Sequence, residues 1–273
     1  MPSVDNTIVL PKKRFLRDIA DHYPITFSIL LVPALMGILF PFRILRIALA
    51  PTIPKYILHP VALTIQGIIV AILLLLLGWW KEAGFTKPAQ WRCLYLNWVL
   101  APLILPTILF VLLIGPKLNQ PIFLFCSLWL SVFIGFSEES LFRGIILHSL
   151  KRYGAIISVL VSSFLFSLMH ITNLMAGFPL NYIYIQLYVA LSLGVLFGAL
   201  RIRTGTIWIV IILHSLIDFI GLISKDLLNW SGTGGMPEIT LLDMQIIAVI
   251  YTGFIIIGLF LLRSRKLAIL PPE

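Results

Sequence analysis

The chain of 273 residues is 60% hydrophobic and only 11% charged, with a mean hydropathy of +1.04. A soluble domain carries about 25% charged and 45 to 50% apolar residues, so the composition excludes a water-facing globule and predicts an all-α, polytopic membrane protein. The formal charge of +9 does not point to nucleic acid, because the lysines and arginines fall in short clusters between apolar runs, the pattern that orients a membrane protein against anionic lipid.

A hydrocarbon core of about 30 Å needs roughly 20 apolar residues per helix. Met1 to Tyr23 is polar and has no cleavable signal pattern. Spans are then predicted at about 25–48, 58–80, 93–114, 121–142, 155–175, 181–200, 205–223 and 243–262, about eight in all. Pro41, Arg43 and Arg46 interrupt the first, which is expected to end near Phe40 and continue as an interfacial segment. Cys93 and Cys126 both lie in apolar sequence, too few for a disulfide framework or a thiolate metal site. The segment 224–242, with Ser231-Gly-Thr-Gly-Gly235 and Pro237, reads as the one sizeable external loop. Because spans consume most residues, a single transmembrane domain over 1–273 is expected, with a motif-bearing core at about 121–223.

The positive charges test this layout independently of hydropathy. One side holds Lys12, Lys13, Arg14, Arg17, Lys81, Lys87, Arg92, Arg143, Lys151, Arg152, Arg201, Arg203, Arg263, Arg265 and Lys266. The other holds Lys55, Lys117 and Lys225, joined by Arg43 and Arg46 if the first span ends early. The asymmetry places both termini in the cytoplasm of a multi-pass protein. The short chain, with no appended domain or retention signal, is expected in a prokaryotic plasma membrane.

Ionisable groups at membrane depth are costly unless paired or set in a polar cavity. Three clusters qualify. At the cytoplasmic end of the fourth span stands Phe136-Ser-Glu138-Glu139-Ser-Leu-Phe-Arg143. Glu139 and Arg143, four apart, share a helix face suited to an ion pair, whereas Glu138 is rotated by about 100° and left free. The fifth span carries Phe166-Ser-Leu-Met-His170-Ile-Thr-Asn173, with His170 and Asn173 facing roughly the same way. The seventh carries His214-Ser-Leu-Ile-Asp218, another i,i+4 pair. The second, third and eighth spans have no charge in their interiors. Facing lipid, each group would cost several kcal/mol, so convergence on one polar intramembrane cavity is expected. No inverted repeat is evident and the ionisable groups gather in the second half, a distribution that favours an enzyme over an alternating-access transporter. Taken singly, each cluster also reads as interfacial charge or interhelical packing.

In order, these motifs resemble those of the CAAX prenyl proteases and the bacteriocin-processing or bacteriocin-immunity enzymes, the Abi-type intramembrane endopeptidases. Two glutamates, three residues and arginine appear as Glu138-Glu139-Ser-Leu-Phe-Arg143; phenylalanine, three residues and histidine as Phe166-Ser-Leu-Met-His170; histidine, three residues and aspartate as His214-Ser-Leu-Ile-Asp218. The approach Gly194-Val-Leu-Phe-Gly198-Ala-Leu-Arg201-Ile-Arg203-Thr-Gly205-Thr-Ile-Trp208 also matches. The resemblance covers about 130 to 220. It implies that Glu138 and His170 activate water, that His214 and Asp218 stabilise the oxyanion, and that Glu139, Arg143 and Asn173 support them. Asp218 departs from the asparagine of the best-known members, and an ionised aspartate cannot donate to an oxyanion as an amide does. Amide hydrolysis is the chemistry these residue types permit. No cofactor is expected, although Glu138, His170 and His214 are also an acceptable zinc set. Expected partners are membrane lipid and a peptide or membrane-anchored protein substrate, CAAX-type prenylated proteins among them; a non-catalytic immunity or scaffold protein is the alternative of another class.

Overall fold

The computed structural model describes residues 15–49, 52–53, 55–88, 105, 109, 121–227 and 240–263, and the regular elements within them are helices. In chain order they are α1 (Phe15–His22), α2 (Pro24–Leu49), α3 (Lys55–Leu77), α4 (Pro121–Glu139), α5 (Ala155–Met169), α6 (Leu180–Thr204), α7 (Trp208–Leu227) and α8 (Leu241–Arg263). A π-helix, Ser140–Ile146, and a single α-turn, Leu147–Ser149, prolong α4, and a 3-10 helix, His170–Ala176, prolongs α5.

Among the described residues five stretches are long and apolar enough to cross a membrane: Ile57–Leu77, Pro121–Ser149, Ala155–Met175, Leu180–Thr204 and Leu241–Arg263. Two shorter apolar helices, Pro24–Ile38 and Trp208–Ile223, accompany them. The described residues form an all-α, multi-pass membrane bundle of five to seven apolar helices. Seven of the spans expected from sequence coincide with these helices. Most of the expected span at 93–114, Cys93 within it, and most of the expected loop at 224–242 lie outside the described residues.

The apolar part of α2 ends at Ile38, close to the expected Phe40, and the helix itself runs on through Pro41 to Leu49. One boundary differs from the sequence reading: the run that begins at Pro121 does not stop near residue 142 but continues to Ser149. All seven residues of the π-helix are buried, Arg143 among them. A hydropathy scan breaks at Glu138, Glu139 and Arg143, whereas in the fold the charges of Glu139 and Arg143 meet each other and the helix passes through them. Arg143, grouped with loop cations on sequence grounds, is therefore an interior residue.

Helix neighbours follow from small side chains, since lipid supplies no hydrophobic drive between helices and close approach must carry the packing. Helix α4 lies between α3 and α7, and α6 between α5 and α8. At the α5–α6 crossing a Cβ on Gly194 would fall 2.7 Å from that of Ser163, and at the α6–α8 crossing one on Gly258 would fall 2.9 Å from Val195 Cγ1. Large residues such as Leu75, Phe125, Val249 and Phe260 point outward, as helices solvated by hydrocarbon require.

The α6–α7 turn is clamped by the loop that follows α3. Arg201 donates from Nε to Ala83 O at 3.0 Å and from Nη2 to Glu82 O at 2.9 Å. Thr206 Oγ1 donates to Thr86 O at 2.7 Å, and Ile207 N to Gly84 O at 2.8 Å. Gly205, at φ +69°, ends α6 in the left-handed conformation that frees the chain to turn back. Arg152 donates to Asp21 O and His22 O, satisfying carbonyls at the end of amphipathic α1. The contacts of Arg201, Thr206 and Ile207 fix the turn between α6 and α7, and α7 carries His214 and Asp218.

Candidate active site

Gly135 sits one turn before Glu139 on α4. A Cβ there would lie 2.5 Å from Ser215 Oγ and 2.9 Å from Ile211 O, so α4 and α7 touch backbone to backbone at this level. The approach brings Glu139, fully buried, onto His214, the residue before Ser215. His214 Nδ1 and Glu139 Oε1 are 2.6 Å apart, and the same oxygen accepts from Arg143 Nη1 at 3.0 Å. Facing a guanidinium, Glu139 is an acceptor, which assigns the hydrogen of that short contact to Nδ1.

Arg143 has one carboxylate and two aromatic faces for company. Its Cζ lies 4.3 Å from the Phe166 ring centroid and 5.9 Å from that of Phe197. Nε and Nη2 make no hydrogen bond, nor does Glu139 Oε2, so the ring faces take the place of polar partners for the buried charge. The π-helix that holds Arg143 is itself secured: Ser162 Oγ on α5 donates to Phe142 O at 2.6 Å. Single π turns inside α-helices are rare and frequent at functional sites.

With Nδ1 committed, His214 presents Nε2 to two carboxylates, Glu138 Oε2 at 3.7 Å and Asp218 Oδ2 at 3.6 Å. The adjacent glutamates thus differ sharply. The Glu138 side chain is 16% exposed and makes no hydrogen bond among the described residues, whereas that of Glu139 is sealed and doubly engaged. Behind the site, Gln66 Nε2 on α3 donates to Ser137 Oγ at 3.3 Å, holding α3 against the residue before Glu138.

Helix α5 changes to 3-10 geometry at His170. His170 Nδ1 lies 3.0 Å from Phe166 O; a carbonyl only accepts, so Nδ1 carries the hydrogen and Nε2 is left for the pocket. The Phe166 ring stands between the two histidines, edge-on to both at 5.0 Å from His170 and 6.0 Å from His214. No contact among the described residues joins His170 to Glu138 within ion-pair range. Asn173 donates from Nδ2 to Gln186 Oε1 at 2.9 Å.

A half-open pocket of about 250 Å³ lies between the end of α5, α6 and α7, with His170, His214 and Asp218 in its wall. Most of the lining is apolar, including Ile185, Val189, Leu193, Phe197 and Ile217. Glu138 lies just behind the wall, beside His214. The structure therefore gathers Glu138, Glu139, Arg143, His214 and Asp218 into one network and sets His170 on the same pocket, while Asn173 reaches it through Gln186. Among the described residues no three His, Cys, Asp or Glu side chains are grouped to hold a metal ion; the alternative zinc set of Glu138, His170 and His214 is not assembled in this arrangement.

Sequence reasoning passed over Gln186 and Gly135. Gln186 had one signal, an amide inside an apolar span. The closeness of Gly135 to α7 has no signature in the sequence of either helix.

Compared with known proteins, residues 119–220 match the family described as type II CAAX prenyl endopeptidase Rce1-like. No curated protein and no solved structure matches the chain. All three motifs fall inside the matched segment, and the buried histidine–glutamate pair at its centre is consistent with a catalytic site. A Rce1-like CAAX prenyl endopeptidase domain, of the Abi and CPBP family, is accordingly detected over residues 119–220.

Proposed function

We propose that the protein is an intramembrane endopeptidase that cleaves a membrane-associated substrate, a CAAX-type prenylated protein or a peptide, through water activated by Glu138 and His170. The observation that carries this reading is the unequal treatment of the two glutamates. Glu139 is spent on Arg143 and His214 and closed to solvent, so it serves as a positioning residue. Glu138 keeps a partly exposed carboxylate, with no hydrogen bond among the described residues, next to an imidazole whose orientation Glu139 has fixed.

The steps follow from that division. Glu138 takes a proton from water as its oxygen attacks the peptide carbonyl carbon, and His170 Nε2 orients the same water from across the pocket. His214, carrying a hydrogen on Nε2, donates to the oxygen on which charge develops; in a dry, apolar pocket such a donor counts for more than in water. Asp218, 3.6 Å from Nε2, balances the imidazolium and is not itself the oxyanion donor. Glu138 then returns its proton to the departing amine, the C–N bond breaks, and a carboxylate and an amine result. The apolar walls suit a substrate that arrives from lipid.

The test is cleavage of a fluorogenic membrane peptide by the purified protein in lipid nanodiscs. Glu138→Gln and His170→Ala should each lower turnover by at least about 100-fold, the scale of losing a general base, with thermal stability close to wild type for Glu138→Gln. A Glu138→Gln protein that cleaves like wild type refutes the assignment; peptide binding or immunity retained by Glu138→Gln, with no cleavage by either protein, replaces the enzyme with a binding protein.

A further inference from the structure

Beyond the motif residues, two polar side chains line the pocket without a role in the steps above, Tyr182 and Gln186. Gln186 lies on the pocket face of α6 with Ile185, Val189 and Leu193 around it. Its single hydrogen bond is the one it accepts at Oε1 from Asn173, and its NH₂ group has no partner among the described residues. An amide donor on an apolar wall is costly unless something accepts from it. The carboxylates of the site, Glu138 and Asp218, are acceptors, and a peptide entering the pocket brings carbonyls that need donors.

Resting on the endopeptidase reading, we propose that Gln186 is a substrate-positioning residue that donates from Nε2 to a backbone carbonyl of the bound peptide, with Asn173 fixing the amide so that this edge faces the pocket. The separation can be estimated. Asn173 follows His170 by three residues of 3-10 helix, which rises about 2.0 Å per residue, or about 6 Å in all. An extended peptide advances about 3.3 Å per residue, so the carbonyl is about two residues from the cleaved bond. The His170–Asn173 spacing thus couples the water-activating group to a ruler along the substrate. Asn173, read from sequence only as a supporting residue, acts through Gln186.

The experiment uses the full chain in nanodiscs and a fluorescent peptide ending in S-farnesylcysteine and three further residues. Affinity is measured by anisotropy and cleavage by product release. Gln186→Glu keeps the shape and the acceptor for Asn173 but loses the donor; Gln186→Leu loses both. Both variants should weaken peptide binding and raise KM by about tenfold, one dry hydrogen bond, with kcat within about threefold of wild type. A peptide in which a methylene replaces the carbonyl two residues from the bond should lose about the same factor on wild type and nothing further on either variant. Equal affinity in wild type and both variants, or equal losses on the two peptides, overturns the proposal. The Glu138→Gln protein separates this from the catalytic reading: it should bind the peptide normally without cleaving it. If it still cleaves, the role of Glu138 falls while the binding comparison continues to decide that of Gln186.

Discussion

Replacing Gly135 by alanine puts a methyl group where the structure has the backbone of α7. The new carbon would sit 2.9 Å from Ile211 O and 2.5 Å from Ser215 Oγ, against an ordinary contact that begins at 3.4 Å. The serine hydroxyl can rotate away, although it would give up its 2.8 Å bond to Ile211 O. The carbonyl cannot. Helix α7 must therefore retreat by about 0.5 Å, and Glu139, one turn along the same face of α4, is carried away from His214. Their 2.6 Å contact would open to about 3.1 Å, the long edge of hydrogen-bond geometry, and the Glu138–His214 approach would exceed 4 Å by about 0.2 Å. Overpacking costs about 1–3 kcal/mol, while alanine recovers about 1 kcal/mol of helix propensity over glycine, so the net loss of stability is at most about 2 kcal/mol. Activity should suffer more, because misplacing a catalytic group by about 1 Å can cost a hundredfold; about a tenfold drop in kcat is expected. The control is Gly253→Ala on α8, where a Cβ meets nothing within 4 Å; it should leave turnover unchanged and raise stability by about 1 kcal/mol through helix propensity alone. Peptide cleavage in nanodiscs and thermal unfolding measure the two effects. If Gly135→Ala turns over within twofold of wild type, the claim that this helix contact sets the Glu139–His214 geometry is wrong.

Glu139→Gln removes the carboxylate shared by a guanidinium and an imidazole at zero exposure, and should destabilise the fold by about 3–5 kcal/mol, the range for breaking a buried pair; thermal unfolding near wild type would show the pair to be dispensable. Turnover should survive prolonged chelation, with elemental analysis finding no bound metal, whereas loss on chelation with rescue by zinc would move Glu138, His170 and His214 into a ligand role. Reporter fusions after Lys87, Arg152 and Arg203 should read cytoplasmic and those after Phe178 and Gly234 external; an external reading at Arg152 would reverse the orientation inferred from the positive charges.

What the sequence discloses depends on whether a relation is local. Glu139 and Arg143 occupy one continuous helix, so spacing alone brings them together, and they lie 3.0 Å apart. The three motifs stand out because ionisable side chains are rare against an apolar background. The seven described spans were legible for the same reason. The contact between Glu139 and His214 is of another kind, since the partners are separated by 75 residues and meet only where Gly135 lets two helices close. Hydropathy identifies helices that cross a bilayer but not which pairs become neighbours. It also misplaces Arg143, because it counts a charge as a boundary without regard to the carboxylate and the two rings that absorb it.

The sharing of Glu139 Oε1 ties stability and chemistry to one atom. Arg143 belongs to the scaffold, buried under Phe166 and Phe197; His214 belongs to the site. By accepting from both, Glu139 ties the π-helix to the imidazole, while its neighbour Glu138 makes no hydrogen bond among the described residues. The order of the two glutamates matters for this reason. Rotated by about 100° along the helix, the first lies beside His214 Nε2 and the second faces the crossing of α4 with α7. Exchanging their duties would require α7 to pack on a different face of α4, where no glycine stands one turn earlier: the residue four before Glu138 is Ile134. The adjacency of the two carboxylates and the glycine before them are therefore one structural unit, in which Gly135 selects the glutamate to be buried and thereby the one left to meet water.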